Sequence, residues 1–246
     1  MRTALVTGGG RGIGRAIAAR LASDGMAVAV TYRRDADAAA KTAAEIGGRA
    51  YASDVTSYAD AERLVGQVLD DLGGVDVLVH NAGIASRGNL VADTEPDEPA
   101  RLMATHVFGP FGLTKLLLPQ MRGRERGDIV FVSSVAATQY SPGGAPYTMA
   151  KAAMEALART LAAEEVGHGI HVNIVAPGLT VSDMGDRLAK AIVGKSAADL
   201  DGNATFGRVA RPEDVADVVA YLVSAPLLTA QRVEVQAGSN PFLRGR

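Results

Sequence analysis

Short, nearly continuous apolar runs alternate along this chain with longer stretches in which apolar residues recur every three or four positions. The runs predict strands at Ala4–Thr7, Met26–Thr31, Arg49–Ala52, Val75–His80, Asp128–Ser133, His171–Ala176 and Arg232–Val235. The periodic stretches predict helices near Arg15–Ser23, Asp37–Ile46, Tyr58–Leu72, Glu98–Met121, Tyr147–Val166 and Pro212–Leu222. Continuous Val/Ile/Leu strands belong to a sheet covered on both faces, and strand–helix alternation makes that sheet parallel. Right-handed crossovers then give a doubly wound, Rossmann-type α/β fold of about seven strands with helices on both faces. No repeat, Pro-rich linker or shift of composition divides the chain, so residues 1–246 are expected to form one domain.

The first strand runs into Gly8-Gly-Gly-Arg11-Gly12-Ile13-Gly14, five glycines within seven residues, and a helical pattern follows at once. A strand, a tight turn and a helix N-terminus form the arrangement that takes a dinucleotide pyrophosphate. Glycine at Gly8, Gly12 and Gly14 permits positive φ and close approach of backbone to phosphate. The free N–H groups of Gly12, Ile13 and Gly14 would face the anion at the positive end of the helix dipole. The spacing Gly-x-x-x-Gly-x-Gly departs from the common Gly-x-Gly-x-x-Gly, so the turn indicates a nucleotide without indicating a reaction.

Charge is nearly balanced, 25 basic against 27 acidic residues, and favours neither nucleic acid nor a membrane surface. The absence of cysteine excludes disulfides and thiolate chemistry. No apolar run reaches the length of a membrane span, and the residues before Thr7 do not form a signal peptide, so a cytoplasmic protein is expected. No metal site is expected.

At the end of the second strand, where an acidic residue would take the ribose hydroxyls of NAD, the chain has Tyr32-Arg33-Arg34-Asp35. The guanidinium fork of Arg33, with Arg11 as a second cation, suits a 2′-phosphate and favours NADP(H), with NAD(H) possible. The alternative leaves Arg33 and Arg34 solvated and gives the ribose to Asp35. After the third strand Asp54, with Val55, either meets the adenine or caps the next helix. Asn81-Ala82-Gly83 opens the turn after the fourth strand, where Asn81 and Gly83 permit unusual backbone angles and close approach of a ligand.

Ser134 ends the fifth strand, and Tyr147 and Lys151 lie one turn apart on the helix that follows. A phenol is a poor acid–base at neutral pH, but an ammonium a turn away stabilises its phenolate. Ser134 could then donate to a carbonyl oxygen while Tyr147 protonates it. The alternative has Tyr147 packed on the sheet and Lys151 solvated.

These residues together resemble the short-chain dehydrogenase/reductase family over almost the whole chain. Thr7-Gly8…Gly12-x-Gly14 resembles its cofactor turn, Asn81-Ala82-Gly83 its central-strand motif, and Ser134, Tyr147 and Lys151 its catalytic residues. Pro177-Gly178-x-Thr180-x-Ser182 resembles the segment that passes the nicotinamide, and Arg211-Pro-Glu-Asp-Val-Ala216 its late helix start. Within the family the 3-oxoacyl-(acyl-carrier-protein) reductase group is the nearest likeness. The resemblance implies an NADP-dependent oxidoreductase that reduces a ketone, a 3-oxoacyl thioester or similar carbonyl, to a secondary alcohol. It implies a homotetramer or homodimer, and an acyl carrier protein as a candidate partner. An NAD-dependent alcohol dehydrogenase and a catalytically weak dinucleotide-binding sensor are the alternative readings.

Three departures accompany the likeness. His106 stands where the family usually has an asparagine that helps link the lysine to solvent protons, and it either serves that relay or is satisfied by backbone. His168 stands where carrier-protein reductases usually have arginine, leaving Arg122, Arg124 and Arg126 as candidate docking cations. Ala230 and Ala237 each replace a usual glycine, in segments that support subunit contacts. The irregular stretch from Leu179 to Gly207 is expected to be a substrate lid, with Met184, Leu188 and Ile192 facing either the substrate or the core.

Overall fold

The computed structural model describes residues 1–236, with all side chains among them except those of Ala191, Ile192 and Asn203. Ala237, Gly238 and the side chain of Ile192 therefore lie outside the described residues. Seven strands alternate with nine α-helices among those described. In chain order they are β1 (Thr3–Val6), α1 (Gly12–Ser23), β2 (Ala27–Tyr32), α2 (Ala36–Glu45), β3 (Arg49–Ala52), α3 (Tyr58–Leu72) and β4 (Val77–His80). After these come α4 (Asp97–Met103), α5 (Gly109–Met121), β5 (Gly127–Val132), α6 (Ala136–Gln139) and α7 (Ala145–Glu165). The last elements are β6 (Ile170–Pro177), α8 (Asp183–Val193), α9 (Pro212–Ser224) and β7 (Arg232–Val235).

The strands form one parallel sheet in the order β3-β2-β1-β4-β5-β6-β7. Successive side chains of a strand point to opposite faces, and the core divides accordingly. Leu5, Leu78, Ile129 and Phe131 face α3, α5 and α7. Ala4, Val6, Val77, Val79 and Val130 face α1 and α9. Each of the large fully buried side chains is worth ~1.5–3 kcal/mol of burial. No helix among the described residues is long and apolar enough to cross a membrane.

Two expectations change. The single helix over Glu98–Met121 is interrupted by a π-turn at Ala104–Phe108, which inserts a residue between α4 and α5 and swings His106 inward. The stretch Leu179–Gly207 is not irregular: it contains α8 and a 3₁₀ turn at Ala198–Asn203. Two of its glycines have structural roles. A side chain on Gly185 would stand 1.9 Å from the Thr180 carbonyl, and Gly194 caps α8 in the left-handed conformation.

Ala230, one of the alanines in place of glycine, has φ +58°. A Cβ in that region costs about 1–2 kcal/mol. Its N–H is held to the Val172 carbonyl at 2.7 Å, so the turn keeps its shape despite the strain. Ala230→Gly is expected to raise stability by about 1 kcal/mol, part of the relief being offset by the freer unfolded chain. Urea unfolding of the two proteins checks this; a lower midpoint in the variant would show that the strain is absent.

Candidate active site

The winding reverses between β1 and β4, because the chain adds β2 and β3 on one side of β1 and returns to place β4 on the other. A crevice opens at such a point beyond the carboxyl ends of the strands. The glycine turn lies there. Gly8 and Gly12 have φ +65° and +53°, and a Cβ on Gly8 would stand 3.0 Å from the Cα of Ala82. At Gly14 the constraint is contact instead: a Cβ would meet the Gly8 carbonyl at 2.3 Å and the Asn81 amide at 2.4 Å. Helix α1 has no side-chain cap and no acidic residue in its first turn. Its leading N–H groups are thus left for an anion, and the turn is shaped as a pyrophosphate cradle. Ile13, within that first turn, packs its side chain on the core.

Asn81 binds this turn to β4. Its side-chain amide donates to the carbonyls of Thr7 (2.9 Å) and Gly8 (3.1 Å), while the Thr7 hydroxyl accepts from the N–H groups of Asn81 and Ala82. The expectation of unusual backbone angles at Asn81 and Gly83 is corrected. Among the described non-glycine residues only Tyr140 and Ala230 have positive φ, and Gly83 is not among the positive-φ glycines. Gly83 is required for space: a Cβ there would stand 2.7 Å from Cε1 of His106.

At the other end of the crevice Arg33 faces Asp54 at 3.8 Å. The ribose alternative at Asp35 is weakened, because that carboxylate accepts from the Ala38 N–H and caps α2. The capping alternative for Asp54 falls, since Ser57 caps α3; Asp54 instead folds its own loop by accepting from Thr56. Val55 lies beside it, its carbonyl pressed against Gly109 at the start of α5. Arg11 turns toward α8, pairing with Asp183 at 3.0 Å.

Pro177 ends β6, and Gly178 donates to Val235. The Thr180 hydroxyl donates to the Gly178 carbonyl, and Ser182 caps α8 by accepting from Gly185. This segment passes close to the glycine turn: Cβ of Ser182 is 3.8 Å from where a Cβ on Gly12 would stand. Leu188 is exposed and Met184 half-buried, and neither joins the core clusters. Core packing therefore does not account for Leu188.

Ser134 follows β5, and α7 brings Tyr147 and Lys151 to it. The Ser134 hydroxyl accepts from the Ala136 N–H at 3.1 Å, which leaves its own proton to donate. Burial pushes the Tyr147 phenol up to about 12, against a hydrogen bond from Ser134 that lowers it. Burial pushes the Lys151 ammonium down to about 7, opposed by the charge of Glu155. The Lys151 amine donates to the Val132 carbonyl at 2.8 Å and lies 5.7 Å from the centre of the Tyr147 ring. Lys151 is thus buried beside Tyr147, not solvated.

His106 packs edge-on against Tyr147, ring centres 5.4 Å apart. Its Nε2 is 2.9 Å from the Ile84 carbonyl and 3.3 Å from the Ile84 N–H. The shorter contact assigns the proton to Nε2, which makes Nδ1 an acceptor; that atom is buried without a protein partner. Burial, followed by the charge of Lys151, lowers the imidazole to about 3, so the ring is neutral at physiological pH.

Some site residues were missed in the sequence. Glu98, fully buried, accepts from the Ser86 hydroxyl (2.8 Å) and the Arg87 N–H (2.6 Å), fixing the loop beyond Gly83. Its acidic neighbours Asp93, Glu95 and Asp97 disguise it as part of a solvated cluster. The three candidate docking arginines lie together. Arg122, Arg124 and Arg126 precede β5 and so lie at the far end of the sheet from Ser134, about 20 Å away for a six-residue strand. They pair with Glu165, Asp76 and Asp128 respectively.

A family described as enoyl-(acyl carrier protein) reductase matches residues 8–240. The 3-oxoacyl-(acyl-carrier-protein) reductase FabG of Haemophilus influenzae is 35% identical over 241 residues, covering 96% of this chain and 97% of its own. Acetoacetyl-CoA reductase of Shinella zoogloeoides is 34% identical over 239 residues, 96% and 98% of the two chains. Among solved structures, a variant of actinorhodin polyketide ketoreductase with NADPH matches with TM-score 0.90 at 31% identity, over 98% of this chain and 97% of that one.

Gly83→Ala tests the packing of the site. The added methyl must displace the His106 ring from Tyr147, and a misplacement of that size costs about a hundredfold in kcat/KM. Dinucleotide affinity is expected to change little, because the glycine turn is untouched. Steady-state kinetics with a titration of the dinucleotide check this; unchanged kcat/KM would show that the His106 position is immaterial.

Proposed function

The chain belongs to the short-chain dehydrogenase/reductase family, as an oxidoreductase of the ketoreductase kind, and on that premise we propose that it is an NADP-dependent carbonyl reductase. Its substrate is a 3-oxoacyl thioester or similar ketone, reduced to a secondary alcohol in the cytoplasm. The observation that carries the reading is the convergence of Ser134, Tyr147 and Lys151 at the carboxyl end of β5, the same edge of the sheet as the glycine turn, with the Lys151 amine on the Val132 carbonyl and beside the Tyr147 ring. The NADPH-bound ketoreductase and the two acyl-thioester reductases support the cofactor and the substrate class.

The residues fit the dinucleotide. The N–H groups from Gly12 to Gly14 would hold its pyrophosphate, and Asp54 and Val55 would flank the adenine. Arg33, held only loosely by Asp54, is available to a 2′-phosphate, while Asp35 is occupied as a helix cap. Asn81, Ala82, Gly83, Thr180 and Ser182 would enclose the nicotinamide end, with Arg11 and Asp183 closing over the turn. When bound, the reduced nicotinamide supplies the hydride.

The protein's part is proton transfer and orientation. Ser134 donates to the substrate oxygen and Tyr147 gives it the phenolic proton. A phenol raised to about 12 stays protonated through the neutral range and is therefore present as the acid. Lys151 in its protonated form, beside the ring, offsets the charge of the phenolate that forms. His106 is neutral, with Nδ1 open to accept a hydrogen bond, so it would orient a proton donor rather than supply the proton itself.

Tyr147→Phe keeps the ring and its contact with His106 while removing the proton. Turnover is expected to fall by a factor of about 10²–10⁴, with dinucleotide affinity within a few-fold of the parent. Single-turnover absorbance of the reduced nicotinamide reads the first quantity and fluorescence titration the second; undiminished turnover would refute the assignment of the acid.

A further inference from the structure

One turn beyond Lys151 on the same face of α7 stands Glu155, a carboxylate with 3% of its surface exposed. A buried carboxylate needs partners, and Glu155 has three. The Ser133 hydroxyl donates to it at 2.7 Å, the Arg232 Nε reaches both its oxygens at 2.9 Å, and Arg159 approaches to 3.5 Å. Arg232 comes from β7 and extends further to the Ser134 carbonyl at 3.4 Å. The end of β5 is therefore held at three successive residues: Lys151 on the Val132 carbonyl, Glu155 on the Ser133 hydroxyl, Arg232 on the Ser134 carbonyl.

We infer that Glu155 is a positioning residue for the proposed reaction: its buried carboxylate, one turn from Lys151 on α7, holds the Ser133 hydroxyl and Arg232 and so fixes the β5 end that carries Ser134 and receives the Lys151 amine. The inference rests on the role proposed above for Lys151. The groups that face Lys151 bear this out. Tyr147 and Met154 from α7 and the Val132 carbonyl from β5 carry no charge at neutral pH, and neither does His106 from the π-turn. Glu155 is the anion that favours the ammonium against burial. Arg232 and Arg159 both pair with Glu155. Without Glu155 the amine would lose its proton at lower pH, and the phenolate would lose the cation that stabilises it.

The chain has five lysines, so [¹³Cε]lysine labelling gives a spectrum in which Lys151 is assigned by Lys151→Arg and titrated directly. In Glu155→Gln the Lys151 midpoint is expected to drop by about one pH unit, and the alkaline limb of kcat/KM for reduction to drop with it. In Glu155→Asp, which restores the charge, both stay near the parent values. Because removing one member leaves Arg232 unpaired, the double variant Glu155→Gln/Arg232→Gln provides a fold without that charge, and a smaller drop in the same direction is expected. An unchanged Lys151 midpoint in a folded neutral variant would overturn the inference. The titration needs no substrate, so a protein that shows the shift but reduces no ketone would count against the proposed reaction and leave the charge coupling standing.

Discussion

Everything in the crevice depends on one joint, the bonding of the Asn81 amide and the Thr7 hydroxyl across β1 and β4. Parallel strands cannot be joined by a short hairpin, so the chain leaves β1, builds one half of the sheet and returns after β3 to place β4 on the other side. The two strand ends that meet there would diverge into separate loops without a cross-tie. Asn81 supplies it with two donations to the turn, and Thr7 answers with an acceptor for Asn81 and Ala82. The cofactor cradle is thereby held at a fixed distance from the β4 loop. That loop carries Gly83, against which His106 packs, with Tyr147 edge-on to the His106 ring.

The second constraint is burial of charge. Placing Lys151 and Glu155 one turn apart inside the protein is costly unless each is paired or hydrogen-bonded, and the surrounding elements are arranged to meet that demand. A carbonyl of β5, a hydroxyl of β5 and a guanidinium of β7 converge on two side chains of α7. The same arrangement leaves the buried Lys151 amine 5.7 Å from the centre of the Tyr147 ring.

The strands were legible because both of their faces are buried, so that they read as unbroken apolar runs, and the glycine turn because its conformations exclude other residues. The trio Ser134, Tyr147 and Lys151 was legible from spacing and position. What escaped had no local signature. The π-turn at Ala104–Phe108 shifts the helical register by one residue, and a pattern of apolar positions tolerates that shift unseen. Glu98 and Glu155 read as surface carboxylates, because the groups that satisfy them come from other elements: Ser86 and Arg87 for one, Ser133 and Arg232 for the other. Arg122, Arg124 and Arg126 form a visible basic run, yet only the direction of β5 shows that they stand at the end of the sheet remote from Ser134. Ser57 rather than Asp54 caps α3, a choice between neighbouring oxygen acceptors that turn geometry alone decides.

The most direct test of the account is the loss of reduced-nicotinamide absorbance when the purified protein meets an acetoacetyl thioester, with NADPH and NADH compared side by side. Rapid consumption of NADPH and slow consumption of NADH is the expected result, since Arg33 is held only loosely by Asp54 at 3.8 Å while Asp35 is committed to its helix. Consumption of neither, across this thioester and a wider set of ketones, by a protein that still binds NADPH would contradict the claim that this crevice is built to reduce a carbonyl.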